Sequence, residues 1–236
     1  MHICFLDIDG TLVNTGGAGQ AAFARTLAAD FGIDPINQDV LFAGRSDRVI
    51  ATDLFVHHGV DPTAENWARF QESYVEHLNE TLPKYEGRVL PGVVALLEAL
   101  AGRGDVALGL LTGNVREAAH RKLVFYGLWD WFPFGGFGDV QVDRNLIAAD
   151  ALTAAQRHLE AEPGDRGSNG DPRPGKVLVI GDTLNDITCG RAIGARCVAV
   201  PTGHTTAETL RGGLPDVLVD TLEDATPILA LLDGST

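Results

Sequence analysis

At 236 residues, with 45% apolar and 21% charged side chains, the chain has the composition of a folded globular protein, one large domain or a core with a smaller insert. Its formal net charge of -14 argues against a nucleic-acid backbone or an anionic membrane as main partner, and an anionic ligand would need a metal or local basic groups to reverse the field. Cys4, Cys189 and Cys197 lack metal-site spacing, and Asp7 and Asp9 fall where a signal peptide would need an apolar core, so a reducing cytoplasm is the expected location.

Ile3 to Leu6 is an almost wholly apolar run, the pattern of a strand buried on both faces, with Cys4 as one of its small buried residues. Asp7 and Asp9 follow at i and i+2, on one side of an extended chain, just before Gly10-Thr11 leads the chain away. Taken alone, the pair suits a solvated acidic turn as well as it suits a ligand site. Asn14 to Gly19 is a Gly-rich connection, and Gln20 to Phe31 has helical spacing that stops at Gly32. Val40 to Gly44 reads as a loop, Ser46 as the N-cap of a helix through His57, and Thr63 as the cap of another that ends at Pro83. Residues 15–84 thus form a helical block whose core is Trp67, Phe70, Tyr74 and Leu78. The adjacent His57 and His58 point to different helix faces and do not suggest a metal site.

From Tyr85 onward strands and helices alternate. Pro91 opens a helix to Ala101 with Val94, Leu97 and Leu100 inward, and Val106 to Leu111 is a second apolar strand followed by Thr112-Gly113-Asn114 and a helix to Tyr126. Trp131 to Phe137 reads as a third strand packed near Trp129 and Phe132, and Asn145 to Leu159 as a helix. Glu162 to Gly175 has the composition of a surface loop. Val177 to Ile180 is a fourth strand, with a short helix over 184–193, a fifth strand at 195–200, an edge strand at 217–219 and a last helix over 222–232. This order implies an α/β fold in which a parallel sheet is wrapped by helices. The first strand belongs to that sheet, so the core is 1–14 with 85–236 and the helical block is an insertion.

In a parallel sheet, the carboxyl ends of the first, second and fourth strands share one edge. That edge gathers Asp7, Asp9, Thr112, Gly113, Asn114, Asp182 and Asp186. Four carboxylates converging without a cation would be strongly destabilising. Oxygen-only ligands suit a hard cation, Mg²⁺ better than Ca²⁺, and neither His nor Cys recurs there to suggest zinc.

Asp7-Ile8-Asp9-Gly10-Thr11, Leu111-Thr112-Gly113-Asn114 and Gly181-Asp182-Thr183-Leu184-Asn185-Asp186 resemble motifs one, two and four of the haloacid dehalogenase-like hydrolases, and the chain looks closest to phosphoglycolate phosphatase-like members with a small helical cap. The resemblance implies a Rossmann-like core, Mg²⁺ as cofactor and a small phosphorylated metabolite as substrate. It makes Asp7 the nucleophile that forms an aspartyl-phosphate and Asp9 the acid and base, its backbone carbonyl facing the metal. Asp182 becomes a metal ligand and Asp186 a ligand or its support. Thr112 and the amides of Gly113 and Asn114 hold phosphate oxygens.

Motif three of the family is usually a lysine at the start of the helix between motifs two and four, and no lysine lies between Lys122 and Lys176. Arg144 occupies that helix start and is the chosen cation, with Lys122 the alternative; Lys176 falls at the wrong end of its strand and is expected at the surface. Gly44-Arg45-Ser46-Asp47 resembles the loop that relatives lower over the substrate, and Arg45 is a candidate contact to a substrate carboxylate, although N-capping by Ser46 and a first-turn acid explain much of the segment. A phosphomutase would use the same residues, and a non-catalytic binding module would show damaged motifs. No nucleic acid or membrane partner is expected, and the chain is a monomer or homodimer.

Overall fold

The computed structural model describes residues 1–37, 39–161 and 176–233, so the loop expected over 162–175 lies outside the described residues. The chain opens with β1 (His2–Leu6), in which Ile3, Cys4, Phe5 and Leu6 are all completely buried. After β2 (Val13–Asn14) come α1 (Ala18–Phe31), α2 (Asp47–His57) and α3 (Ala64–Thr81), and β3 (Arg88–Val89) then returns antiparallel beside β2, Val13 facing Val89. There follow α4 (Val93–Gly102), β4 (Val106–Leu111), α5 (Arg116–Phe125), β5 (Phe134–Gly136), α6 (Arg144–Ala161) and β6 (Val177–Gly181). The chain continues through α7 (Leu184–Ala192), β7 (Arg196–Ala199), α8 (Ala207–Gly212), β8 (Val217–Leu218) and α9 (Thr226–Asp233).

Six strands form one parallel sheet in the order β5-β4-β1-β6-β7-β8. Leu6 of β1 is in register with Leu110 on one side and Ile180 on the other. The chain passes from β1 to β4 on one flank and later to β6 on the opposite flank, so connections diverge at the carboxyl end of β1 and leave a crevice there. Alternate residues fill the two faces: Leu6, Leu110 and Ile180 pack with α4 and α9, and Phe5, Val179 and Leu111 pack with α6. This is the α/β fold expected from the alternation of apolar runs and helices.

The three helices between β2 and β3 have a core of their own. Phe23 meets Tyr74 with ring centroids 4.5 Å apart and Phe70 at 4.9 Å, and Val115, the residue before α5, and Ala118 within it close the bottom of that cluster. The helical block is therefore seated on α5 and tethered by the short β2–β3 ribbon. Ser46 and Thr63 cap α2 and α3 as expected, their hydroxyls accepting from the Val49 and Asn66 amides.

Four expectations need correction. Val94 is 45% exposed, and α4 buries Val93, Leu96, Leu97 and Leu100, the i, i+3, i+4, i+7 set that begins one residue earlier. The third strand is only Phe134–Gly136, preceded by a 3₁₀ turn at Trp129–Trp131; Pro133 has no N–H for a longer ladder. The last helix begins at Thr226 because a start at 222 would place Pro227 in its interior. Lys176, expected at the surface, is half-buried and donates to the Leu231 and Leu232 carbonyls at the end of α9. Among the described residues no helix is long and apolar enough to cross a membrane.

Candidate active site

The crevice at the end of β1 is a cavity of about 220 Å³. Asp7, Asp9, Thr112, Gly113, Asn114, Arg144, Asp182 and, from the helical block, Arg45 all line it. Asp186 lies just behind this wall. Apart from Arg45 and Arg144, these side chains arrive from turns where an apolar strand gives out, which is why Asp7 and Asp182 meet at one edge of the sheet.

Two networks organise the cavity. In the first, Lys122 Nζ donates to Asp9 Oδ2 and to Asn114 Oδ1, each at 2.6 Å, and the Asn114 amide donates to Asp9 Oδ2 and Thr112 Oγ1, each at 2.9 Å. Lys122 is itself buried on α5, so this network holds one Asp9 oxygen in place. In the second, Arg144 opens α6 and forms an ion pair with Asp186, while its Nη1 lies 3.9 Å from Asp7 Oδ1. Asp186 also closes a capping box at the start of α7, its Oδ2 accepting from the Thr183 amide at 3.0 Å and hydroxyl at 2.6 Å. Both Asp186 oxygens are thus engaged. Burial opposes the charge on Arg144, but Asp186 and Asp7 outweigh it and hold the guanidinium above its ordinary pKa.

Asp7, Asp182 and Asp186 bring one carboxylate oxygen each within 4.8 Å of one another. Asp7 Oδ1 is buried with no hydrogen-bond partner, and Asp182 Oδ1 accepts from Thr11 Oγ1 at 3.2 Å. Burial, then the charge of Asp186, push the Asp7 carboxyl up to about 7 against the pull of Arg144. Burial, then Asp186 and Asp7, push Asp182 up to about 9. A set of oxygen donors, one of them without a partner, that resists becoming fully ionised is what a hard divalent cation relieves, and these residues fit one. Asp182 and Asp7 have the free capacity to ligate; Asp186 fits the supporting role. The Asp9 side chain is not in this cluster.

Gly10 has φ of 85°, and a Cβ there would stand 2.5 Å from Asp182 Oδ2, so only glycine lets the turn after Asp9 pass beside that carboxylate. Gly113 admits the helical block: its carbonyl accepts from the Asp47 amide at 2.8 Å, and a Cβ on it would lie 2.4 Å from the Arg45 carbonyl oxygen. Gly113→Ala should hold the 44–47 loop off the cavity and lower kcat/KM roughly 10²-fold by misplacing that wall, with far-UV circular dichroism unchanged; wild-type kinetics would contradict the docking.

Asp47 is the functional candidate that sequence reasoning passed over. It read as a first-turn acid, but its Oδ2 crosses to the core and accepts from the Val115 amide at 2.8 Å, and the side chain lines the cavity. Nothing in its sequence neighbourhood signals that reach, which depends on α2 docking over the start of α5. Burial pushes its carboxyl from near 3.8 up to about 7, against the pull of Lys122 and the Val115 amide. The folded protein therefore holds a proton through that interval that the unfolded chain releases, and this residue's contribution to stability falls as pH rises from about 4 to 7. Asp47→Asn removes the effect, so in metal-free protein the unfolding free energy of the variant minus that of the wild type should rise across this window in urea titrations. A flat difference would contradict the burial of the charge.

Arg45, the candidate substrate contact, lines the cavity and is held by its own helical block: it donates to Asp53 Oδ2 at 2.5 Å and to the Leu41 carbonyl at 3.1 Å.

The haloacid dehalogenase-like hydrolase family model matches residues 4–142, and the HAD-hydrolase-like model matches 148–225. A phosphoglycolate phosphatase of Synechococcus elongatus is 29% identical over 226 residues, covering 95% of each chain. One from Agrobacterium fabrum is 26% identical over 229 residues, covering 96% of this chain and 91% of the relative. Among solved structures, CbbY from Rhodobacter sphaeroides in complex with phosphate superposes with a TM-score of 0.70 at 20% identity, covering 95% of this chain and 96% of that one.

Proposed function

This chain belongs to the haloacid dehalogenase-like hydrolases and is a hydrolase of phosphate esters, and from that premise we propose a Mg²⁺-dependent phosphatase that cleaves a small phosphomonoester through an aspartyl-phosphate on Asp7. The observation that carries the proposal is the buried, unpartnered Asp7 Oδ1 at the end of the central strand, with the guanidinium of Arg144 at 3.9 Å. An oxygen so placed is desolvated, close to a cation and free to bond to phosphorus. The cavity of about 220 Å³ suits a small ester.

In the proposed cycle an Asp7 carboxylate oxygen bonds to phosphorus as the bond from phosphorus to the alcohol oxygen breaks. Asp9, fixed by Lys122 and Asn114, gives that oxygen its proton. Asp9 then takes a proton from the water that attacks phosphorus, the acyl-phosphate bond breaks, and Asp7 returns as a carboxylate. Thr112 and the Gly113 and Asn114 amides hold the non-bridging oxygens, with Arg144 as the cation of motif three. Mg²⁺, held by Asp7, the Asp9 carbonyl and Asp182 with Asp186 in support, would neutralise charge on the transferring group. Residues 15–84 act as a cap over a core of 1–14 and 85–236. The three cysteines are buried free thiols, which suits the cytoplasm.

Purified protein should release p-nitrophenol from p-nitrophenyl phosphate only when Mg²⁺ is present, and Mg²⁺ should raise the melting temperature of the metal-free protein. Absence of metal-dependent release there and from a panel of phosphomonoesters would overturn the phosphatase reading. Stoichiometric inorganic phosphate separates it from a phosphomutase, which would return the phosphoryl group to an organic acceptor.

A further inference from the structure

We infer, resting on the phosphatase reading, that the ester hydrolysed here has an uncharged leaving alcohol, and that alcohols carrying a carboxylate or a second phosphate are poor substrates. The inference comes from the wall of the cavity that faces away from the three-carboxylate cluster. Phe23, Phe42, Ile50 and Tyr74 supply its apolar part. Phe23 and Tyr74 are each 1% exposed and packed against one another, so this wall is a fixed surface.

The charges on the same wall have the wrong sign for an anion. Asp47 lines the cavity, is only 6% exposed and carries its charge above about pH 7. Among the described residues, Arg45, Lys122 and Arg144 are the arginine and lysine residues that line it, and each is already paired: Arg45 with Asp53, Lys122 with Asp9, and Arg144 with Asp186. His204 lines the mouth and is exposed to solvent. An anionic group on the alcohol would be desolvated beside Asp47 and Asp9 while the cations near it serve other carboxylates. A hydroxyl or methylene there can donate to a carboxylate or rest on the aromatic rings without that penalty. The phosphoryl end differs, because Arg144, the strand-end amides and a bound divalent cation would serve that charge.

The matched pair that tests this is 2-hydroxyethyl phosphate against 2-phosphoglycolate, which differ only in whether the second carbon is a hydroxymethyl or a carboxylate. With the wild-type enzyme in Mg²⁺ at about pH 8, where Asp47 is charged, and p-nitrophenyl phosphate as a control for phosphatase activity, kcat/KM for 2-hydroxyethyl phosphate should exceed that for 2-phosphoglycolate by at least about tenfold. Asp53→Asn, which frees Arg45 from outside the cavity, should narrow the ratio by raising turnover of 2-phosphoglycolate, and Asp47→Asn should do the same. Equal or faster hydrolysis of 2-phosphoglycolate would overturn the inference and leave the phosphatase reading intact. A ratio unmoved by both variants would overturn the charge assignment even if the neutral ester is preferred. No phosphate release from any of the three esters would overturn the phosphatase reading, and this inference with it.

Discussion

Asp7→Asn should lose p-nitrophenyl phosphatase activity by roughly 10⁴-fold or more, the scale seen when a covalent nucleophile is removed, and should form no acid-stable phosphoenzyme with a labelled substrate. The same variant should be at least as stable as the wild type in metal-free buffer. Asp7 is desolvated, faces Asp182 and Asp186, and has its carboxyl pushed up to about 7, so its charge is a net burden on the fold at neutral pH. An amide of the same shape relieves that repulsion. Activity and stability thus move in opposite directions, the signature of a residue placed for chemistry. Full activity in the variant would overturn the nucleophile assignment, and a collapse of stability would contradict the electrostatic account of the site.

Arg144→Ala should cost both properties together. The guanidinium is 8% exposed and is the basic partner of Asp186 and Asp7, so its removal leaves buried carboxylates unpaired, a loss of about 3–5 kcal/mol in urea unfolding. The phosphoryl group loses its cation as well, and turnover should fall roughly 10²–10³-fold. Lys122→Ala should retain at least about tenfold more activity than Arg144→Ala, because Lys122 acts through Asp9, which Asn114 also holds at 2.9 Å. The reverse order would make Lys122 the cation that bridges nucleophile and phosphate. Arg144→Lys should recover stability better than activity, since a point charge can balance Asp186 but cannot span two carboxylates as a planar fork does.

Much of this fold was legible in the chain because its signals are local. Ile3–Leu6, Val106–Leu111 and Val177–Ile180 are continuous apolar runs, and a strand buried on both faces can hardly be written otherwise. Small and acidic residues at their ends announced where the chain leaves the sheet, and Ser46 and Thr63 marked helix starts because a hydroxyl at that position satisfies a free amide. The errors fell where a single residue outweighed a pattern. Pro133 cut short the aromatic strand, Pro227 delayed the last helix, and a one-residue shift of phase decided that Val94 faces solvent.

By itself the sequence determined that two strand ends carry carboxylates and a third carries small polar residues, and that a helical insert follows the first of them. What each charge faces was decided only by the tertiary structure. Arg144 reads as the first choice for the motif-three cation and Lys122 as the alternative, and it is the strand order that turns Lys122 toward Asp9 and Arg144 toward Asp7 and Asp186. Asp47 and Arg45 belong to one short segment, but docking on Gly113 sends Asp47 into the cavity wall, while Arg45 is held by Asp53, eight residues beyond it. The physical reason is range: backbone preferences act over a few neighbours, whereas the partner of a buried charge is chosen by residues far along the chain that burial forces alongside it, as Asp186 is for Arg144 and Asp9 for Lys122.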